Sequence, residues 1–470
     1  LLHHISHLFA LLFKTDEKKD SKPNENKKSL TTNKTQKQIP NKTENKSENT
    51  EKSNNDDSDS ESENNTNQNK DQINPEKKGQ DSPSKVIDVD YEVINIKEFD
   101  TRNLNYEFDF DLLSLNKENE VPKDEISEWA SKIKGFFDSN DIHLKQSGIT
   151  IGPRLIRYEY EFPKSTKLKD LDRHNEELSY RLGGISVDFE IPIPGRSEFG
   201  IYVGRQSPDM LGMKTYLKDL EARDEKIPLF MGVAPDGNGL WSDATAFPHL
   251  LIGGTTGSGK SVFLNNIIIN LLAASKIKPI NLILIDPKMV EFSPYQNLKQ
   301  LSCPILTDVD SARDVLIEAE DVMEKRYEKV KKAGVRNIFE YNELDSIQDS
   351  MPFLFIIIDE FADLVMQDKT DLIKRSIIRL AQKSRAVGIH VIIATQRPSA
   401  KVIDGLIKAN FPARVAFKVS SKEDSRIILD ENGAENLLGK GDMIVKTSAD
   451  DKTRLQGIFI SIDEIKKIVE

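Results

Sequence analysis

Cysteine is almost absent from this chain: Cys303 stands alone among 470 residues. That excludes an intramolecular disulfide and fits a reducing compartment. Its neighbours Leu301, Pro304, Ile305 and Leu306 are apolar, so the thiol reads as core packing and not as a nucleophile. A net positive charge is lacking too. The formal balance of −11 excludes a generally adhesive nucleic-acid binder, yet leaves room for a basic channel inside an acidic body. Leu1 to Phe13 is apolar but falls short of the ~20 residues that a bilayer demands. Two readings of this stub (residues 1–13) stand side by side: the end of a membrane helix, or a short amphipathic stretch. It has neither a charged leading region nor a small-residue cleavage site, so it does not read as a signal peptide. The chain starts at Leu1 without Met, as a fragment or processed form would. His3, His4 and His7 have no carboxylate or cysteine beside them and do not read as a metal site. Residues 14–84 contain almost no apolar side chains. Such a segment cannot bury enough surface to offset its ordering entropy, and a disordered linker is expected.

What is present begins with Gly254-Thr255-Thr256-Gly257-Ser258-Gly259-Lys260-Ser261. The apolar stretch His249-Leu250-Leu251-Ile252 leads into it, and Val262, Ile267, Ile268, Leu271 and Leu272 follow at helical spacing. A strand, a glycine loop and a helix in that order turn G-x-x-x-x-G-K-[ST] into a phosphate loop. Its backbone N–H groups and the helix dipole suit a triphosphate. Lys260 is placed to reach the β- and γ-phosphates of ATP, and Ser261 to hold Mg²⁺.

About a hundred residues on, Phe353-Leu354-Phe355-Ile356-Ile357-Ile358 is unbroken and rich in β-branched residues, as a strand covered on both faces is. It ends in Asp359-Glu360. Asp359 suits the Mg²⁺ shell and Glu360 the general base that polarises the attacking water. A further run, Ile389 to Ala394, ends in Thr395-Gln396-Arg397-Pro398, and Gln396 is the candidate sensor of the γ-phosphate.

The length allows two or three domains. Residues 85–120 read as an extended connecting segment with short alternations such as Tyr106 to Phe110. Residues 121–240 read as a small α+β domain. Ile126, Trp129, Ile133 and Phe136 share a helical face, and Ile149 to Phe162 alternates like one strand. A helix through Leu168, Leu171, Leu178 and Leu182 comes next. Strands Ile185–Ile191 and Phe199–Val203 then flank turn chemistry at Pro192 to Arg196. Residues 241–470 alternate strands (281–285, 353–358, 389–394, 414–419, 442–445 and 455–460) with helices. That pattern predicts a mainly parallel sheet covered on both faces. The expected fold class is α/β: a RecA-like phosphate-loop ATPase domain preceded by a small α+β domain and a disordered linker.

Several motifs go beyond generic phosphate-loop logic. Pro248-His249-Leu250-Leu251, Ile285-Asp286-Pro287-Lys288-Met289, Gly334-Val335-Arg336-Asn337 and Asp359-Glu360-Phe361-Ala362-Asp363-Leu364 resemble the FtsK/SpoIIIE family of DNA translocases. So do Ala394-Thr395-Gln396-Arg397-Pro398-Ser399, Gly405 to Asn410, Ser420-Ser421-Lys422 with Asp424-Ser425-Arg426, and Gly441-Asp442-Met443. The resemblance runs from about Val121 to Glu470 and includes the family's α-domain. It implies a homo-hexameric, ATP-driven pump for double-stranded DNA in chromosome segregation during division or sporulation. It also implies a membrane tether before a long linker, and division or recombination proteins as partners. Neither the family's full set of membrane helices nor its C-terminal winged helix has a counterpart in this sequence.

By position, Arg385 at the end of the helix after the acid strand matches the family's trans-acting arginine finger. Arg397, Lys408, Lys422 and Arg426 resemble its channel loops. Lys422 and Arg426 are four apart and share a face if helical. Phosphate contacts without base reading are expected from them. Related motors power protein secretion, but typically as several motor domains in tandem, and the single motor here favours DNA. Intact Lys260, Ser261, Asp359 and Glu360 weigh against a non-hydrolysing scaffold.

Overall fold

Gly152-Pro153 breaks what the alternation from Ile149 to Phe162 suggests is a single strand. In the structure, a computed structural model, the chain turns there and forms a hairpin of Lys145–Ile151 (β1) and Leu155–Glu161 (β2). Residues 94–470 are described, apart from 102, 103, 105, 106, 164–170, 172, 348, 349 and 448–451. The stub 1–13, the linker 14–84, Tyr106 and Leu168 therefore lie outside the described residues. Val187–Glu190 (β3) and Glu198–Gly204 (β4) complete a four-stranded antiparallel sheet ordered β1-β2-β4-β3. The expected helix forms over Lys123–Ser139, and its Trp129, Ile133, Phe136 and Phe137 pack with Ile156, Tyr158 and Tyr160 of β2. Downstream, the described helix covers Asn175–Arg181, with Leu178 buried.

The larger part holds a nine-stranded sheet. Its strands are Pro228–Val233 (β5), Gly239–Asp243 (β6), His249–Gly253 (β7), Ile280–Ile285 (β8), Phe353–Ile358 (β9), Ile389–Thr395 (β10), Ala413–Phe417 (β11), Asp442–Lys446 (β12) and Lys452–Gln456 (β13). Strands β7 to β11 are buried along their whole length, as unbroken apolar runs demand. They pair in parallel in the order β11-β7-β10-β9-β8, so β10 lies between the phosphate-loop strand and the acid strand. All five carboxyl ends meet at one edge, where ligands of open α/β sheets bind.

The sheet is mixed, not mainly parallel. β12, β13, β5 and β6 extend it in antiparallel pairs beyond β11. Only residues 234–238 separate β5 from β6, and 447–451 separate β12 from β13. Links that short return the chain beside itself and permit only antiparallel pairing. β5 and β6 bring the start of this sheet upstream of the expected junction at 240/241. The expected strand 455–460 stops at Gln456, because Gly457 turns to donate its N–H to the Gly441 carbonyl at 2.7 Å.

The segment before the small domain does more than connect. Lys97 N–H donates to the Ser302 carbonyl at 2.8 Å, Phe99 N–H to Asn281 Oδ1 at 3.1 Å, and Thr101 Oγ1 accepts from Ile280 N–H at 2.9 Å. Phe108 and Leu113 are buried in the core of the large domain. Phe110–Leu112 is a single 3₁₀ turn in place of the expected alternation.

The two folded parts meet through a buried ion cluster. Arg454 on β13 donates to Asp188 on β3 at 2.7 Å and to both oxygens of Asp442, at 3.0 and 2.7 Å. Its guanidinium also lies 4.7 Å from the Tyr202 ring centroid. Among the described residues, no helix is long and apolar enough to cross a membrane.

Candidate active site

β7 leaves the sheet at Gly253 and passes into the glycine loop. Gly257 (φ 76°) and Gly259 (φ 115°) adopt left-handed conformations that side chains resist, and Gly259 caps the helix Lys260–Ala274. Thr255, Thr256, Gly257, Gly259, Lys260, Ser261 and Val262 line a cavity of about 520 Å³. Gly254 and Ser258 are buried behind it. A Cβ on Gly254 would meet Phe417 Cβ at 2.6 Å, so glycine is required there. The Ser258 hydroxyl is buried and has no partner among the described residues.

β9 delivers the two acids to the same edge. Lys260 Nζ donates to Asp359 Oδ1 at 2.6 Å and to the Asp359 carbonyl at 2.9 Å. Burial pushes the Asp359 carboxyl up, and the Lys260 ammonium opposes that shift. Its second oxygen, Oδ2, is buried without a partner among the described residues. An orphaned carboxylate oxygen at the sheet edge that carries the glycine loop fits the shell of Mg²⁺. Glu360 is fully buried. Its Oε1 accepts from the Thr395 hydroxyl at 2.6 Å, and both oxygens lie 3.1 Å from Gln396 N–H. Gln396 Oε1 in turn accepts from the Thr256 hydroxyl at 2.6 Å. The structure therefore brings Lys260, Asp359, Glu360 and Gln396 together around the loop.

Sequence reasoning named Ile285 to Met289 only as a family motif and gave it no role in the site, yet the segment that starts there touches the site twice. Asp286, buried at the end of β8, accepts from the backbone N–H of Lys288, Glu291 and Phe292 at 3.1, 2.9 and 3.0 Å. That folds the loop back so that Lys288 Nζ reaches Glu360 Oε2 at 3.2 Å and Glu291 Oε1 accepts from the Ser261 hydroxyl at 2.5 Å. The available signal was positional: Asp286 follows a buried strand at the same sheet edge as Asp359. Met210, Leu211, Gln456 and Phe459 form the far wall of the cavity. They come from segments distant in sequence, which no local pattern joins.

Arg385 is exposed in the turn Ser384–Val387, which precedes β10. Gln396 follows that strand, so the seven residues of β10 separate Arg385 from the loop edge by about 20 Å. It cannot serve the nucleotide of its own chain. Arg397 is exposed next to the site, with its nearest carboxylate, Asp363, at 3.9 Å. Lys422 and Arg426 lie on the helix Lys422–Leu429 and are both exposed. Lys408 differs from these: it is largely covered and held by Asp430 at 2.6 Å.

The FtsK/SpoIIIE family model matches residues 213–400, and the FtsK alpha domain model matches residues 109–204. The DNA translocase SpoIIIE of Bacillus subtilis is 39% identical over 382 residues, which cover 78% of this chain and 48% of that protein. The DNA translocase FtsK of Bacillus cereus is 39% identical over 373 residues, 77% of this chain and 47% of that protein. The chain spans about half the length of these curated relatives. Among solved structures, the pCW3 conjugation coupling protein TcpA, monomer form with ATPγS, is similar at a TM-score of 0.51 and 24% identity. That likeness covers 73% of this chain and 98% of TcpA, and it concerns the fold alone. The first matched segment carries the phosphate loop, both acids and Gln396, and the second carries the small four-stranded sheet; the chain belongs to the FtsK/SpoIIIE family.

Proposed function

We propose that this chain is an ATPase that moves double-stranded DNA through a ring of six copies. The observation that carries this reading is the division of the catalytic groups. Lys260, Asp359, Glu360 and Gln396 gather at one sheet edge, while Arg385 is exposed at the other. Such a chain holds two halves of a site and needs a neighbour to complete it.

On binding, ATP would draw Lys260 from Asp359 to its β- and γ-phosphates. Ser261, once free of Glu291, and Asp359 are the residues that would hold Mg²⁺, which would supply neutralisation of charge on the phosphates. Glu360 would take the proton of the attacking water, and Gln396 would report the γ-phosphate to Thr256 of the loop. Arg385 of a neighbouring copy would stabilise the charge of the transferring group. Arg397, Lys422 and Arg426 supply exposed cations for the DNA backbone, whose contacts position without reading sequence. Chromosome segregation, a membrane tether, and division or recombination partners complete the reading that the family resemblance suggests.

Hydrolysis measured with and without duplex DNA tests the proposal. Strong stimulation by duplex is expected. Indifference to duplex, with stimulation by an exported polypeptide, would turn the reading toward a secretion motor.

A further inference from the structure

A general base needs a lone pair facing the water it activates, and Glu360 has none to offer in this structure. Thr395 and Gln396 occupy one side of its carboxylate and Lys288 the other, with the side chain fully buried. Thr395 ends β10 and is fixed by the sheet, and Gln396 follows it directly. Lys288 is different. Its backbone is pinned by Asp286, but its side chain is 38% exposed and has a second carboxylate within reach, Asp363 Oδ2 at 3.4 Å. Asp363 lies on the helix that follows Glu360, and its other oxygen is 3.9 Å from Arg397 Nη1. Four side chains thus alternate in sign from the buried base to the surface: Glu360, Lys288, Asp363 and Arg397.

We propose that Lys288 is a switch that parks Glu360 and releases it when Arg397 leaves Asp363 for a DNA phosphate. The proposal rests on the readings of Glu360 as base and Arg397 as a DNA contact. While Arg397 shares Asp363, Lys288 is divided between two carboxylates. Once a phosphate takes the 68% exposed Arg397, Asp363 keeps Lys288 as its only near cation among the described residues. A swing of the lysine side chain toward Asp363 then uncovers Glu360 Oε2. No backbone movement is required, and no bond is made or broken. Hydrolysis is restrained on a ring without DNA and permitted on a loaded one. Lys288 is a positioning residue under this scheme, because it acts through Glu360 and touches neither nucleotide nor DNA.

The test uses the whole chain with duplex DNA and compares Lys288→Met, Lys288→Arg, Asp363→Asn and the Lys288→Met, Asp363→Asn double variant. Lys288→Met should raise the DNA-free kcat several-fold toward the stimulated rate, with KM for ATP and affinity for duplex unchanged. Lys288→Arg should restore restraint. Asp363→Asn should leave the lysine wholly to Glu360 and cut DNA stimulation several-fold. The double variant should behave like Lys288→Met, since without the lysine Asp363 has nothing to move. Retention of the wild-type basal rate and stimulation by Lys288→Met would overturn the switch. So would loss of turnover in a Lys288→Met protein that melts normally and binds nucleotide, because the lysine would then be catalytic. The underlying readings fail separately: normal hydrolysis by Glu360→Gln removes the base, and unchanged duplex affinity in Arg397→Ala removes the DNA contact.

Discussion

Lys260 and Asp359 are each other's counter-ion: the ammonium lies 2.6 Å from the carboxylate, with both side chains all but inaccessible to water. Removing one partner strands the other charge, which costs roughly 3–5 kcal/mol when a buried pair is broken. Lys260→Ala should therefore lose both nucleotide binding and stability. The Lys260→Ala, Asp359→Asn double variant should recover much of the melting midpoint without recovering binding. Urea melts and titration with a fluorescent nucleotide separate the two effects. Glu360→Gln should bind nucleotide normally and lose at least about 100-fold in turnover, since an amide cannot act as base.

Arg385 can be tested by mixing subunits. Under the proposed ring assembly, Arg385→Ala alone or Glu360→Gln alone should be nearly inactive. Mixed rings should regain activity wherever an intact arginine faces an intact base. Absence of recovery at every ratio would place Arg385 outside the reaction.

Duplex binding should report the exposed cations through salt. Each phosphate neutralised contributes about 0.9 to the slope of log affinity against log salt. Replacing Arg397, Lys422 and Arg426 with alanine together should flatten that slope by roughly 2–3 and abolish stimulation. Lys408→Ala should leave the slope nearly unchanged and lower stability, because Lys408 already serves Asp430.

His249 and His390 predict acid lability. Burial first, then the neighbouring His390 ring, pulls His249 down to about 3. Burial, opposed by the bond to the Pro248 carbonyl, takes His390 down to about 4. The unfolded chain binds protons on both rings below about pH 6.5, whereas the folded chain does not until far lower pH. The contribution of the two histidines is therefore full well above pH 6.5 and falls with acidification, by about 1 kcal/mol per histidine between pH 6.5 and 5.5. Asparagine at both positions can keep a polar group near each Nδ1 without titrating, and should flatten the urea midpoint over that window.

Glu291 should compete with the metal. Its bond to the Ser261 hydroxyl at 2.5 Å must open before that oxygen can serve Mg²⁺. Glu291→Ala should tighten Mg²⁺-dependent nucleotide binding by about 1 kcal/mol, the usual net worth of one hydrogen bond. A magnesium titration at fixed nucleotide should then reach its midpoint at lower metal, and an unmoved midpoint would refute the competition.

The parallel centre was legible because strands buried on both faces write unbroken apolar runs, as Phe353 to Ile358 does. Asp359, Glu360 and Gln396 were legible for a related reason, since each sits just beyond the end of such a strand, and Lys260 was legible from the glycine-loop motif that opens a helix. The antiparallel half was legible only in part: strands were expected near β12 and β13, but β5 and β6 were not placed in this sheet and the antiparallel pairing was missed. Those partners are chosen by hairpin links and distant packing instead of by local pattern. The hairpin at Gly152-Pro153 carried a turn signal that the continuing alternation on both sides concealed. The site roles of Lys288 and Glu291 escaped because their reach depends on Asp286 folding the loop back. Lys408 looks like a surface cation in sequence, and only the tertiary position of Asp430 shows that it is engaged.

The ion cluster on Arg454 bears on how freely the two folded parts could be exchanged among relatives. Asp442, held by Arg454, accepts the Leu438 N–H at 2.8 Å, and the adjoining Gly441 donates to the Ser258 carbonyl within the phosphate loop, also at 2.8 Å. A Cβ on Gly259 would come within 2.5 Å of the Gly441 nitrogen, so the two loops touch backbone to backbone. Asp188 of the small domain supplies the other side of the same guanidinium. The small domain is thus a structural buttress of the nucleotide site, and a graft that changed Asp188 without changing Arg454 would loosen the loop that holds the triphosphate.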